Sequence, residues 1–319
     1  MKTNLTVKED SQSMEIKKIT IVGMGALGVM YGDFLTRKLG KECVEFVGSK
    51  KRIHRFKEEG MFCNGQSCDF SLVDEEEMGM PADLLIFAVK ATELEPAIQT
   101  VRNKVSRNTI IMSLLNGITS EEIIGKVYGM EKIIHCVVQG MDVVKAGNRV
   151  TYSQFGEFRI GIAEESKAKK QKLQAVLNLF DKVEMPYIFE KDIIHRLWSK
   201  FMLNVGVNQA VMIHEGTYGT VQKPGEARDL MQNAMKEVIT LAHKENVNVT
   251  QEDFDDYIKL IDSMNPNGMP SMRQDGLARR KSEVELFAGT VIAMANKHGI
   301  DVSVNRTIYE IITKMESKY

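Results

Sequence analysis

The chain has 319 residues, of which 43% are hydrophobic and 27% are charged, and these values are ordinary for a globular protein with two domains. Its formal net charge of -1 argues against a nucleic-acid-binding protein, which usually carries an excess of Lys and Arg. No apolar run approaches the roughly 18 residues that a membrane-spanning helix needs. We therefore expect a cytoplasmic protein whose partner is neither a nucleic acid nor a membrane.

The sequence shows neither a targeting signal nor a metal-binding motif. Residues 1–13 are polar and of mixed charge, without an apolar signal core, and we expect them to form a disordered extension. The four cysteines, Cys43, Cys63, Cys68 and Cys136, form no C-x-x-C pair and have no histidine at zinc spacing. Free thiols in a reducing compartment and no bound metal are therefore expected.

A glycine-rich turn follows the first apolar segment of the chain. Residues 18–22 predict a short buried strand and residues 26–39 a helix, and the turn between them reads Gly23-Met24-Gly25-Ala26-Leu27-Gly28. This strand–turn–helix order is the context in which a G-x-G-x-x-G sequence binds a dinucleotide. The glycines let the backbone turn tightly and approach a diphosphate, and the free N–H groups at the helix start face the phosphates.

The first half of the chain alternates strands with helices. Further strands are predicted at residues 43–47, 84–89, 109–114, 133–138, 150–155, 158–162 and 183–189, helices at 50–59, 93–104 and 167–180, and a hairpin at 61–70 that turns at Asn64-Gly65. Fully apolar strands interleaved with helices are typical of a parallel sheet covered on both faces. We therefore predict an α/β, Rossmann-like dinucleotide-binding domain over residues 14–190.

After residue 190 the strand pattern stops. Helical periodicity is found at residues 198–213, 227–245, 251–263, 271–298 and 305–317, and Pro- and Gly-containing turns separate these segments. The predicted fold is thus a Rossmann-like domain followed by an all-helical domain over residues 191–319. A cleft is expected between the two domains.

The first of these helices carries a polar stripe on an otherwise apolar surface. Lys200, Asn204 and Asn208 recur at intervals of four residues and therefore share one face of the helix. Burying a lysine and two amides without partners would cost several kcal/mol. The stripe predicts either an internal network, with Lys200 paired to a carboxylate, or the wall of a cleft that meets a polar ligand. A partly buried lysine has a lowered pKa and can donate a proton.

Other polar residues are candidates for the same cleft. Lys90 and Asn116 each follow an apolar strand, and ligands of open α/β sheets bind beyond the carboxyl ends of the strands. A surface lysine and a turn residue are the alternatives. Ser271, with a glutamine three residues later, matches a helix capping box, and Arg279 with Glu283 matches an ion pair on a solvated helix face.

Taken in order, these segments resemble the ketopantoate reductase (2-dehydropantoate 2-reductase) family over almost the whole chain. The resemblance rests on the glycine turn and on Val89-Lys90-Ala91, Asn116-Gly117, Lys200-x3-Asn204-x3-Asn208, Ser271-Met272-x-Gln274-Asp275 and Arg280-x-Ser282-Glu283. It implies a two-domain enzyme that reduces 2-dehydropantoate to pantoate with NADPH, on the route to pantothenate and coenzyme A. The implied partner is a small 2-oxo acid, and a homodimer is a further expectation.

The resemblance implies a role for each matched residue. Lys200 is similar to the catalytic general acid, and Glu283 to the acidic residue that supports the active site. The residues expected at the cofactor are Gly23, Gly25, Ala26, Leu27, Gly28, Ser49, Lys50, Arg52, Lys90 and Asn116. Those expected at the substrate are Asn116, Lys200, Asn204, Asn208, Tyr218 and Ser271. An ammonium beside a 2-oxo group can stabilise the charge that hydride delivery leaves on oxygen and can donate the proton.

Three positions depart from the family's pattern. Ser49 stands where an arginine commonly binds the 2′-phosphate of NADP, and Lys50 or Arg52 beside it can take that role. Tyr218 and Ala288 stand where asparagines are common. Two alternatives therefore stay open: a reductase of the same fold that acts on another 2-oxo acid, and a non-catalytic redox sensor that binds NADP.

Overall fold

The computed structural model describes residues 14–319, and the extension predicted at residues 1–13 lies outside the described residues. The strands are β1 (Ile19–Val22), β2 (Val44–Gly48), β3 (Phe62–Cys63), β4 (Gln66–Ser67), β5 (Ser71–Asp74), β6 (Leu84–Phe87), β7 (Ile110–Ser113), β8 (His135–Met141), β9 (Val144–Ala146), β10 (Arg149–Thr151), β11 (Phe155–Gly161) and β12 (Tyr187–Phe189). The helices are α1 (Ala26–Leu39), α2 (Lys50–Glu59), α3 (Leu94–Thr100), α4 (Ser120–Tyr128), α5 (Lys167–Val183), α6 (Ile193–Ile213), α7 (Tyr218–Gln222), α8 (Glu226–Lys244), α9 (Gln251–Ser263), α10 (Ser271–Leu277), α11 (Thr290–His298) and α12 (Ser303–Glu316). Short 3₁₀ turns cover Ala91–Glu93, Arg102–Lys104 and Met130–Lys132, and a π-helical turn, Glu285–Gly289, leads into α11.

The main sheet of the N-terminal region is parallel and has the strand order β5-β2-β1-β6-β7. β1 and β6 are buried along their whole length, as expected for central strands of a sheet that is covered on both faces. The chain moves outwards to β2 on one side of β1 and then crosses to β6 on the other side. This reversal creates the crevice at the carboxyl ends of the strands where open α/β sheets bind ligands. The Rossmann-like, parallel-sheet prediction is confirmed.

Two smaller sheets extend the same region. One has the order β4-β3-β10-β9 and contains the predicted hairpin, whose turn residues Asn64 and Gly65 have φ of 46° and 79°. Positive φ at both positions is characteristic of the two-residue hairpin turn that Asn-Gly favours. The other sheet has the order β12-β11-β8, in which β8 and β11 are antiparallel.

Some elements of the N-terminal region differ from those predicted. The edge strand β5 (Ser71–Asp74), the strand β9 and the helix α4 (Ser120–Tyr128) were not predicted, because each is too short to show a clear apolar pattern. The strand predicted at residues 183–189 is reduced to β12. α5 continues to Val183 and ends at Glu184, which adopts a left-handed conformation with φ of 60°.

The helical region packs around α6. This helix is buried on nearly all sides, and α8, α10 and α12 pack against it. α6 also contacts β8 and β11, so its side chains reach the boundary with the N-terminal region. Within residues 14–319 we find no helix that combines the length and apolarity needed to cross a membrane.

The prediction of a single helix over residues 271–298 is wrong. α10 ends at Leu277, and Arg279 has a left-handed φ of 48°. The main-chain N–H of Arg280 donates to the Asp275 carbonyl at 2.9 Å, which turns the chain out of the helix. The helical pattern resumes only at the π-helical turn. Glu283 therefore lies between two helices rather than on the solvated face of one.

Candidate active site

The glycine turn is shaped by close approach of the chain to Ala88. Gly23 has φ of +107°, and a Cβ there would lie 2.4 Å from the Ala88 oxygen, so the position requires glycine. A Cβ at Gly28 would lie 2.1 Å from the Gly23 oxygen, so the packing of helix on strand requires the third glycine. A Cβ at Gly25 would come no nearer than 3.6 Å to a protein atom. The space above Gly25 thus fits the close approach of a ligand phosphate.

A cavity of about 950 Å³ opens in front of this turn, at the carboxyl ends of β1, β2, β6 and β7. This volume is in the range of small-molecule sites. The residues predicted at the cofactor that line it are Gly23, Gly25, Ala26, Leu27, Ser49, Arg52, Lys90 and Asn116. From the helical region, Ser271 and Glu283 line it as well. Two predicted cofactor residues do not line the cavity. Gly28 lets the helix pack on the strand, and Lys50 is exposed.

Lys200 projects from α6 towards the N-terminal region. Its Nζ donates to the Val138 carbonyl at 2.7 Å and to Asn116 Oδ1 at 3.2 Å. Burial lowers the pKa of Lys200 to about 8, although Cys136 and Glu283 favour the charged form. An ammonium that titrates so near neutral pH is suited to proton donation. The stripe predicted either an internal network, with Lys200 paired to a carboxylate, or the wall of a cleft. In the structure Lys200 bonds a side-chain amide and a main-chain carbonyl rather than a carboxylate.

Asn116 connects Lys200 with Glu283. Its Oδ1 accepts from Lys200, and its Nδ2 donates to Glu283 Oε2 at 3.2 Å. Burial raises the pKa of Glu283, and the hydrogen bond from Asn116 opposes that shift. Asn116 lines the large cavity and also a second one of about 10 Å³, which Lys200 and Asn204 border. Lys200, Asn116 and Glu283, called here the polar row, therefore mark the boundary between the two cavities.

Two of the residues predicted at the substrate lie elsewhere. Asn204 borders the small cavity one turn beyond Lys200, but Asn208 is only 6% exposed and lines neither cavity. Tyr218 begins α7, and its N–H donates to the Gly268 carbonyl at 2.9 Å. Its side chain packs against Gly268 and also lines neither cavity.

Ser271 does line the large cavity, and the capping box expected around it is not formed. The N-cap of α10 is Pro270, and no side chain within residues 14–319 caps the helix. The Gln274 side chain instead donates to the Met269 carbonyl at 3.3 Å. The Ser271 hydroxyl is therefore not committed to a helix cap.

The loop that carries Asn116 is tied at both ends by hydrogen bonds that sequence reasoning missed. The hydroxyls of Ser113, at the end of β7, and Ser120, at the start of α4, lie 2.8 Å apart, and Ser120 donates to Glu121 Oε2 at 2.8 Å. Burial raises the pKa of Glu121 to about 7. At the loop tip, a Cβ on Gly117 would lie 2.8 Å from the Leu286 side chain. These contacts fix the position of the Asn116 amide.

Some of the cations at the large cavity are already paired. Arg52 lies 2.6 Å from a Glu93 carboxylate oxygen, and Lys90 lies 2.7 Å from Asp275. Three further lining cations, Arg55, Arg102 and Lys145, were not predicted. Lys145 lies on β9, a strand that was not predicted.

Two family models match this chain. The model described as "Ketopantoate reductase PanE/ApbA" matches residues 19–165, and "Ketopantoate reductase PanE/ApbA C terminal" matches residues 192–316. The chain belongs to the ketopantoate reductase family. The family resemblance inferred from the glycine turn and the motifs around Lys200 and Glu283 is thereby confirmed, and the family is one of oxidoreductases.

Relatives and solved structures agree with this assignment. The chain is 28% identical over 306 residues to a 2-dehydropantoate 2-reductase of Aquifex aeolicus, covering 94% of this chain and 96% of the relative. It is 24% identical over 238 residues to the enzyme of that name from Vibrio cholerae, covering 75% and 79%. A D-mandelate dehydrogenase solved with NADH and anilino(oxo)acetate superimposes with a TM-score of 0.83 at 22% identity, covering 94% and 99%. A ketopantoate reductase from Ralstonia eutropha gives 0.81 at 21% identity, with the same coverage. At these identities the structural likeness shows the fold.

Proposed function

We propose that this protein reduces 2-dehydropantoate to pantoate with NADPH, on the route to pantothenate and coenzyme A. The observation that carries the proposal is the polar row. It places a lysine of lowered pKa beside a dinucleotide-sized cavity that begins at a glycine turn. Relatives that carry the name 2-dehydropantoate 2-reductase support the choice of substrate.

Lys200 is the proton donor in this proposal. When bound, the dinucleotide would supply the hydride that the 2-oxo carbon accepts. Two of the three hydrogens on Lys200 Nζ are committed to the Val138 carbonyl and to Asn116 Oδ1. The third is available to the substrate oxygen, which takes it to complete the hydroxyl.

Glu283 and Asn116 act on the orientation of Lys200. An amide has one accepting and one donating end, so the orientation of Asn116 must be set by its neighbours. Glu283 accepts from the Nδ2 end and thereby turns Oδ1 towards Lys200. Asn116, Asn204 and Ser271 are the polar groups that would hold the carboxylate of the substrate.

NADPH is the proposed cofactor because cations line the cavity beyond β2. The strand ends at Gly48 and is followed by Ser49, without the acidic residue that usually binds the ribose of NAD. Arg52 and Arg102 line this part of the cavity. Glu75 lines it too, but its carboxylate accepts from the Thr100 hydroxyl at 2.7 Å. Steady-state kinetics with both cofactors test the preference, and equal kcat/KM values for NADPH and NADH would contradict it.

The experiment that tests the function is the loss of NADPH absorbance on addition of 2-dehydropantoate. Turnover supports the proposal, whereas dinucleotide binding without turnover of any 2-oxo acid would support the redox-sensor alternative. A reductase of another 2-oxo acid is the second candidate, because Val137, Leu197 and Phe201 give the small cavity beside Lys200 an apolar wall. A higher kcat/KM for 2-oxoisovalerate, which lacks the hydroxymethyl group, would favour that candidate.

We further propose a cytoplasmic homodimer. A ketopantoate reductase from Staphylococcus aureus described as dimeric shares the fold, with a TM-score of 0.77 at 20% identity. Light scattering coupled to size-exclusion chromatography tests the oligomeric state, and a mass near the 36.0 kDa of one chain would contradict a dimer.

A further inference from the structure

Arg55 and Lys145 are two of the cations that reach the large cavity from elements that the glycine motif does not involve. Arg55 lies on α2, and Lys145 lies on β9 in the small sheet β4-β3-β10-β9. Among the lining residues, Lys145 alone comes from this small sheet. The small sheet thus contributes a positive charge to a cavity whose remaining walls are built by the main sheet, its helices and the helical region.

Neither cation is neutralised by a carboxylate. Within residues 14–319, no carboxylate oxygen lies within 4.0 Å of Arg55 or Lys145, in contrast to Arg52 and Lys90 on the same cavity. Lys145 Nζ donates to the Gly147 carbonyl of its own hairpin at 2.8 Å. The Arg55 guanidinium lies over the Phe56 ring, 4.8 Å from its centroid. Both side chains keep N–H donors free for a ligand.

Like charges also gather around Lys145. Its half-buried position lowers its pKa, and the nearby cations Arg55 and Arg280 act in the same direction, while only Glu59 opposes them. Grouping like charges on one wall costs free energy, and an anion bound there would offset that cost. The arrangement is typical of a site for phosphate, which Lys and Arg bind through charge-assisted hydrogen bonds.

We propose that Arg55 and Lys145 together bind a phosphate group of the dinucleotide. The inference rests on the proposed function, because it assumes that a dinucleotide occupies the large cavity. Main-chain N–H groups of the glycine turn and the start of α1 supply neutral donors on one wall, and Arg55 and Lys145 supply charge on another. Two phosphate sources share this chemistry. They are the diphosphate, present in NADH and NADPH, and the 2′-phosphate, present only in NADPH.

The test uses the full chain with Arg55→Gln, Lys145→Gln and the double substitution. The matched control is Arg149→Gln: Arg149 lies on β10 of the same small sheet, 4.8 Å from the centroid of the Phe62 ring, but does not line the cavity. Dissociation constants for NADPH and NADH are measured by fluorescence titration. Loss of one charge-assisted hydrogen bond should raise the constant for NADPH by about tenfold or more. Arg149→Gln should bind like the wild type, and Lys145→Arg should retain most of the affinity.

The two cofactors distinguish the two phosphate sources. A loss confined to NADPH assigns the pair to the 2′-phosphate, and an equal loss with NADH assigns it to the diphosphate. The inference would be overturned if Arg55→Gln and Lys145→Gln bound the dinucleotides with wild-type affinity, or lost no more affinity than Arg149→Gln. The proposed function would stay intact. If the wild type binds neither dinucleotide, the proposed function fails. Inorganic diphosphate then becomes the probe, and binding unaffected by the double substitution would overturn the anion site as well.

Discussion

Replacing Lys200 with methionine tests the proposed proton donor directly. Methionine keeps a long apolar stem but has no proton to give. Loss of a general acid typically lowers the rate by about 10² to 10⁴-fold, so we expect kcat to fall within that range. The dissociation constant for NADPH should stay near the wild-type value, because the glycine turn is untouched.

The same substitution should change stability in a pH-dependent way. Burial lowers the pKa of Lys200 from 10.5 to about 8, which corresponds to about 3 kcal/mol against the ammonium in the folded state. Between these two pH values the unfolded chain carries a proton on Lys200 that the folded protein has released. Raising the pH through this window therefore stabilises the wild type relative to Lys200→Met by up to about 3 kcal/mol. Below pH 8 both states are protonated, and the difference should be constant.

Urea unfolding of both proteins between pH 7 and pH 10.5, together with the pH profile of kcat/KM, measures both effects. The profile should fall on the basic side with an apparent pKa near 8. Lys172→Met is the control, because Lys172 is also buried and donates to a main-chain carbonyl, that of Glu131 at 2.7 Å, but lines neither cavity. The control should keep the wild-type kcat. A stability difference that does not change with pH, or a variant that keeps most of its kcat, would refute the reasoning.

Three further predictions concern the neighbours of Lys200 and the substrate side. Glu283→Ala should lower kcat because the Asn116 amide loses the acceptor that orients it, and unchanged steady-state kinetics would contradict this. Ser113→Ala should lower kcat and also reduce Tm by about 2–4 °C, for a buried hydrogen bond worth about 1 kcal/mol. Thr20→Val, which removes a different buried hydrogen bond, from the Thr20 hydroxyl to the Glu45 carboxylate, should lower Tm alone. Tyr218→Asn should leave the ratio of kcat/KM for 2-dehydropantoate and 2-oxoisovalerate unchanged, and a shift in that ratio would return Tyr218 to the substrate site.

Sequence reasoning succeeded where local rules decide the structure. α1, α2 and α9 have the predicted bounds, because apolar periodicity runs along each helix and turn-forming or capping residues flank them: Gly25, Gly40, Ser49, Gly60 and Thr250. The glycine turn was found because the positive φ of Gly23 and the close contact at Gly28 can be satisfied only by glycine. The spacing of four residues likewise placed Lys200 and Asn204 on one helix face at the small cavity.

The elements and cavity residues that were not predicted depend on tertiary contacts. The segment after α10 keeps a helical pattern in its sequence, but Asp275 pairs with Lys90 from the other region and with Arg280, and the chain leaves the helix there. The position of Lys145 at the cavity could not be predicted, because it depends on how the small sheet β4-β3-β10-β9 lies against the cavity. Asn208 satisfies the same spacing rule as Lys200, yet it is buried and lines neither cavity.

The residues of the polar row indicate a site only when they are considered together, because each comes from a different segment of the chain. Lys200 belongs to α6, Asn116 to the loop after β7, and Glu283 to the segment between α10 and the π-helical turn. Lys200 and Asn116 are 84 positions apart in the sequence, and Asn116 and Glu283 are 167 apart. The lowered pKa of Lys200 arises only when the two regions meet, since burial is its main cause. In the proposed function, the glycine turn of the N-terminal region binds the dinucleotide, whereas proton donation by Lys200 requires both regions in contact. A substitution that loosens this boundary should therefore lower kcat before it weakens the binding of the dinucleotide.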